Sequence, residues 1–152
     1  MLVLSGTYTG PSTVTAAQID QAFLLHGKSI PGIGTLILQW APRFGFRAEA
    51  VAGQVSLESG WGTNFWTIQC NNMLSIGVTG ETSPATEKAG LPDWQAQDTP
   101  QGRLYLRGYR FPTVEAGLLA GLIHMATYIY GRSKTSWPVA VQSFCGDRKS
   151  VV

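Results

Sequence analysis

Ala48, Val51, Ala52 and Val55 repeat apolar side chains at helical spacing, and the stripe runs into Glu58 before Ser59-Gly60-Trp61-Gly62 ends it. Residues three and four apart share one face of an α-helix, so a buried helix is expected from about 47 to 59, its small residues allowing neighbours to approach closely. Glu58 lies three residues after Val55 and seven after Val51, which sends its carboxyl off the apolar face. A glutamate there needs a reason. Burial without a cationic partner disfavours the carboxylate, and no Arg or Lys follows for many residues, so the position suits an acid that donates a proton near neutral pH. Gly60 and Gly62 let the chain leave the helix sharply and set Glu58 at a cleft mouth, with Trp61 as an apolar wall or a flat aromatic platform for a ligand. The bland alternative is a solvated glutamate near a helix end, and position alone does not exclude it.

The rest of the chain reads as more helix around this one. Thr15-Ala16-Ala17-Gln18 matches a capping box, and Ile19, Ala22, Phe23 and His26 follow at helical spacing until Gly27. Ile33, Leu36, Ile37 and Trp40 mark a second helix that Pro42 kinks or ends. Between Leu74 and Tyr109, glycines, prolines and short runs such as Arg103-Leu104-Tyr105-Leu106 replace the helical period, which predicts a small, loop-rich β-hairpin lobe. Thr113 caps a long helix carrying Leu118, Leu119, Leu122, Met125 and Ile129, and Trp137-Pro138 opens a short last one. Residues 5 to 14 are small, polar and aperiodic, so 1–14 reads as a flexible arm or linker and 15–152 as a single domain.

Composition narrows the partners. A chain of 152 residues with 44% hydrophobic content can bury one core. A net charge of +2, from 11 basic and 9 acidic residues, is too small to argue for nucleic acid. No apolar stretch approaches the ~20 residues of a membrane span. Met1-Leu2-Val3-Leu4 lacks the basic start and length of a signal peptide, so work outside the cell is expected to depend on another delivery route. Cys70 and Cys145 have no metal-type or redox-type spacing; they read as buried thiols or, outside the cell, as one disulfide. No cofactor or metal is implied, and His26 and His124 have no partner at ligand spacing.

Specific chemistry enters through a resemblance. Ala52-Gly53-Gln54-Val55-Ser56-Leu57-Glu58-Ser59-Gly60-Trp61-Gly62 resembles the active-site helix of the glucosaminidase family, lysozyme-like hydrolases of the bacterial wall, through its Glu-Ser-Gly-Trp-Gly motif. Further matches follow in family order from about residue 15 to 130. They include Gly27-Lys28-Ser29-Ile30-Pro31-Gly32, Phe44-Gly45-Phe46, Cys70-Asn71-Asn72-Met73-Leu74-Ser75-Ile76, Leu106-Arg107-Gly108-Tyr109 and Phe111-Pro112-Thr113-Val114-Glu115-Ala116-Gly117. The chain departs from the pattern at Ser75, where the family usually has glycine, and at Leu74, where it has phenylalanine.

The resemblance implies an α+β fold, predominantly α: a lysozyme-like helical domain with a small β-hairpin lobe flanking the active-site cleft. Glu58 is then the general acid for β-1,4 links in peptidoglycan. A second carboxylate is sought in the lobe among Glu81, Glu87, Asp93 and Asp98, with Asp98, four residues before Gly102, in the best-matching place. A tyrosine facing the acid is Tyr128 or Tyr130, orienting the sugar's acetamido group or stabilising charge, or simply packing. Trp61, Asn71, Asn72, Tyr109 and Tyr130 are the expected substrate contacts, although an Asn pair also shapes turns. Tyr105, Trp94 and Trp66 offer further stacking surfaces or core. The implied activity is an endo-β-N-acetylglucosaminidase, acting as a monomer or within a longer chain, phage particle or secretion assembly. The rivals are a lytic transglycosylase on the same fold and a wall-binding or structural module that has lost the chemistry.

Overall fold

The computed structural model of the chain describes residues 8–76, 78, 94–99, 102–107 and 109–145. It is predominantly helical. Helix α1 spans Ala16–His26, α2 Ile33–Trp40, α3 Ala48–Ser59, α4 Phe65–Cys70, α5 Val114–Ile129 and α6 Val139–Cys145. Single 3-10 turns at Ala41–Phe44 and Lys134–Ser136 lead into α3 and α6. Strands β1 (Trp94–Thr99) and β2 (Gly102–Arg107) pair antiparallel, with Trp94 opposite Arg107 and Thr99 opposite Gly102. Most of the remaining stretch expected to form a lobe, 79–93, lies outside the described residues.

Local chemistry explains the helix starts. The Thr15 hydroxyl accepts from the Gln18 N–H at 3.2 Å while the Gln18 side chain accepts from the Thr15 N–H at 2.9 Å, closing the capping box. α2 has no cap of its own, because Gly32 precedes it; Asp20 of α1 accepts from the Gly34 N–H at 2.8 Å instead. Thr113 caps α5 by accepting from the Ala116 N–H. α4 is absent from the sequence expectations. It spans six residues and is marked only by Asn64, whose side chain accepts from the Thr67 N–H at 2.8 Å.

α2 touches α1, α3 and α5, and its Ile33 and Ile37 are fully buried. Phe23, Phe44, Phe46, Val51, Val55, Leu118 and Leu122 close the same core. Trp40 adds a polar tie, its indole N–H donating to Glu115 at 2.7 Å across α2 and α5. The run Gly117 to Leu122 is buried on every side, so α5 serves as a central support rather than a surface helix. Cys70 is buried and unbonded, which places it with the buried thiols. No helix among the described residues is long and apolar enough to cross a membrane.

The segment before α1 is tied down from Tyr8 onward. Thr9 bridges Phe46, the Arg47 N–H donates to the Tyr8 carbonyl at 2.8 Å, and the Ala48 N–H donates to the Ser12 hydroxyl at 2.8 Å. The Thr13 N–H reaches Glu49 at 2.6 Å. Arg47, at the N-cap of α3, makes no side-chain capping bond, so Ser12 satisfies a helix-end N–H from a distant part of the chain. Residues 1–7 lie outside the described residues.

Candidate active site

The motif after α3 builds a turn of unusual geometry. Gly60, Trp61 and Gly62 all have positive φ, at 56°, 56° and 79°, so the chain reverses within three residues. Ser59, fully buried, accepts from the Gly62 N–H at 2.8 Å and fixes the reversal from inside. The reversal carries the Trp61 carbonyl against the end of α1, where it accepts from the Lys28 N–H at 2.9 Å. A Cβ at position 27 would lie 2.2 Å from that carbonyl oxygen, so the glycine ending α1 is demanded by the motif's own turn. The Trp61 ring packs edge-on to Phe23 at 5.5 Å and against His26 at 4.8 Å, making it a half-buried wall shared with α1.

Glu58 is half-buried at the last turn of α3 and makes no ion pair among the described residues. Its carboxyl accepts from the Gln54 side-chain amide at 3.1 Å, one helical turn earlier. Its carbonyl is held from two sides, by the Asn64 amide at 2.8 Å and the Ser75 hydroxyl at 3.2 Å. Ser75 has φ 51°, so the serine adopts the left-handed conformation for which glycine is the usual residue, and its hydroxyl ties the loop to the end of α3.

Gln54 also borders an open groove of about 340 Å³, whose other walls are Tyr8, Met125, Tyr128 and Ile129. Tyr128 is 77% exposed, its ring edge-on to His124 at 4.9 Å. Gln54 thus links Glu58 to the groove that holds Tyr128. Neither Gln54 nor Tyr8 was singled out by sequence reasoning. The spacing of Gln54, four residues before Glu58 on one helix, was the available signal; Tyr8 had none, because its position depends on the distant backbone bridge to Phe46.

The other expected substrate contacts serve the fold. The Asn71 amide donates to the Phe111 carbonyl at 3.0 Å, and its own φ of 51° ends α4. Asn72 is 0% exposed and spends its amide on the Ile76 and Tyr109 backbone. Tyr109 stacks on Phe111 at 6.4 Å. The Tyr130 hydroxyl donates to the Phe44 carbonyl at 2.7 Å, its ring stacks on Phe46 at 5.6 Å, and burial pushes the phenol above its ordinary range. None of these four lines the groove. Trp66 is buried against Phe65. Asp98 stands in β1 opposite Arg103 in the register, while its side chain, and Glu81, Glu87 and Asp93 altogether, lie outside the described residues.

No family model matches the chain, and no curated protein matches it significantly. Among solved structures, the catalytic domain of the autolysin Auto from Listeria monocytogenes is similar at 14% identity, over 93% of this chain and 88% of that chain, with a TM-score of 0.37. A likeness at that level fixes neither fold nor function.

Proposed function

We propose that this chain is a peptidoglycan hydrolase, an endo-β-N-acetylglucosaminidase in which Glu58 is the general acid. The observation that carries the reading is the setting of Glu58. It is a half-buried carboxyl within an intact Glu-Ser-Gly-Trp-Gly turn, outside any ion pair among the described residues, and held by Gln54 at the edge of a groove walled by two tyrosines.

Cleavage of a glycosidic bond needs a proton on the leaving oxygen as positive charge builds on the sugar ring. Protonated Glu58 gives its proton to the bridging oxygen, the bond from that oxygen to the anomeric carbon breaks, and the leaving sugar departs as an alcohol. Water completes the reaction at the anomeric carbon and returns a proton to a base. In this reading Asp98 on the β-hairpin activates the water, the hairpin forms the second wall of the cleft, and the Tyr128 hydroxyl stabilises the developing charge. The substrate lies in the bacterial wall, so the chain acts there as a monomer, delivered by a phage, a parent protein or an assembly.

The test is digestion of purified peptidoglycan by the wild type and by Glu58→Gln, with mass analysis of the fragments. The amide is the same shape and has no proton to give, so the rate should fall by at least the ~10²–10⁴ of acid–base help. Undiminished cutting by Glu58→Gln removes the central assignment. Anhydro sugars in place of new reducing ends make the enzyme a lytic transglycosylase, and glycan that is bound but never cut makes the chain a wall-binding module.

A further inference from the structure

The backbone and the side chain of Glu58 are held by different means. Its carbonyl takes the Asn64 amide at 2.8 Å and the Ser75 hydroxyl at 3.2 Å, which fixes the main chain at the end of α3. Neither bond reaches the carboxyl, which hangs from the backbone on several rotatable bonds. Among the described residues, the hydrogen bond that limits its rotation is the one from the Gln54 amide, whose Nε2 donates to Oε1 at 3.1 Å. Oε2 takes no hydrogen bond from any described residue. The two oxygens of this carboxyl are therefore unlike before any substrate arrives. An oxygen that accepts an N–H serves best as the carbonyl oxygen of the protonated acid, because a proton placed on it would compete with the amide's. The acid form thus carries its proton on Oε2. When that proton leaves, negative charge spreads over both oxygens, and the bond at Oε1 turns from a neutral into a charge-assisted one, roughly twice as strong. An interaction that strengthens as a reaction proceeds lowers its barrier, whereas one of constant strength does not.

We propose that Gln54 is a positioning residue for proton transfer: it holds Oε1 of Glu58, reserves Oε2 for the proton that is given away, and stabilises the carboxylate left behind. That role rests on the reading of Glu58 as the general acid. The proton moves from Oε2 to the bridging oxygen, whose bond to the anomeric carbon breaks with the electron pair staying on the oxygen. Gln54 neither gains nor loses a proton and acts only through Glu58. The helix supplies the geometry, because residues four apart meet on one face of α3. The residue type matters as much as the spacing. A lysine in this place would hold the carboxylate so firmly that the acid form became scarce, and an aliphatic residue would leave the carboxyl free to turn. A neutral donor supports both protonation states that a general acid passes through in each turnover.

The test separates positioning from binding and from folding. Steady-state kinetics would compare the wild type with Gln54→Met, which keeps length and helix propensity without the amide, on soluble glycan strands from purified peptidoglycan. kcat should fall about three- to thirtyfold, the difference between a neutral and a charge-assisted hydrogen bond, while KM changes by less than about twofold. The second readout is NMR of the protein without substrate and needs no Gln54 variant. As pH is varied, the Gln54 side-chain amide signals of the wild type should move together with the Glu58 carboxyl carbon signal, at one shared midpoint. In Glu58→Gln that movement of the Gln54 signals should vanish. Wild-type kcat in Gln54→Met, a rise in KM with kcat unchanged, or Gln54 signals that ignore the Glu58 titration would each overturn the positioning role while leaving the general acid in place. Undiminished cutting by Glu58→Gln would overturn both, so the two failures are told apart by which variant keeps its activity.

Discussion

Asn72 has no solvent contact, yet both of its amide protons and its carbonyl are in use: it donates to Ile76 at 2.9 Å and to Tyr109 at 3.0 Å, and accepts from the Ile76 N–H at 2.8 Å. A neutral hydrogen bond contributes only about 1 kcal/mol net, but each buried partner left unmet costs ~1–3 kcal/mol. Asn72→Leu has similar volume and takes the Asn72 partner from the Tyr109 carbonyl and the Ile76 N–H, while the Ile76 carbonyl keeps the Tyr109 N–H at 3.2 Å, so a loss of about 2 kcal/mol or more is expected in denaturant unfolding. Tyr130→Phe, which removes only the hydroxyl's bond to the Phe44 carbonyl, should cost about 1 kcal/mol. A loss below 1 kcal/mol in Asn72→Leu would show that the turn at 73–76 is held by something else. The candidate site was legible at this scale in residue type more than in role. Glu58 stands out because a carboxylate on an apolar stripe is anomalous, and Asn71-Asn72 stands out as a turn pair. The partners that occupy Asn72 and Tyr130 are backbone groups far along the chain, and no local pattern encodes them.

α3 carries Glu58 at one end and depends on the arm at the other. Its first N–H groups have no side-chain cap from Arg47, and the Ser12 hydroxyl takes the Ala48 N–H from 36 residues away. N-capping oxygens contribute ~0.5–2 kcal/mol, so Ser12→Ala should lower the urea midpoint by an equivalent amount at unchanged m-value. A midpoint within error of the wild type would make the arm a passive neighbour of α3. The elements that were legible have strong local signals: the Thr15 and Gln18 box for α1, periodic apolar residues for α2 and α3, and the Thr113 cap with a leucine-rich face for α5. α4 was not, because six residues are too few for a 3.6-residue period to show and Asn64 alone announces it. The docking of residues 8–13 was invisible for another reason. It rests on backbone bonds and short hydroxyls, and small polar aperiodic residues look the same whether they are tied down or free.

At the scale of the whole molecule, three titrating groups report on different parts of one cooperative core. Burial works against ionisation of Glu49, but the Thr13 hydroxyl, backbone N–H groups and Arg47 outweigh it, so its carboxyl lies below the ordinary range. Burial pushes the Cys70 thiol up, with Arg110 pulling the other way, and burial likewise raises Tyr130. A depressed acid stabilises the fold fully above its unfolded pKa, about 4.3, and that contribution is lost as pH falls through the lower folded value. The raised thiol and phenol stabilise it fully below their unfolded values, about 8.5 and 10, and lose their contributions as pH rises through the higher folded ones. Stability should therefore be level between roughly pH 5 and 8 and fall on both sides, the acid limb reporting the arm on α3 and the alkaline limb the α4 and α5 side of the core. Urea unfolding across pH would check this with Glu49→Gln, which should lower the plateau and flatten the acid limb, and with Cys70→Ala, which should flatten the start of the alkaline limb. Because two-state unfolding lets every group act on the same transition, each substitution should change the pH slope of its own limb alone, whatever it does to the height of the plateau. Acid limbs that superpose in the wild type and Glu49→Gln would mean that the arm's contact with Glu49 contributes nothing to holding the molecule together.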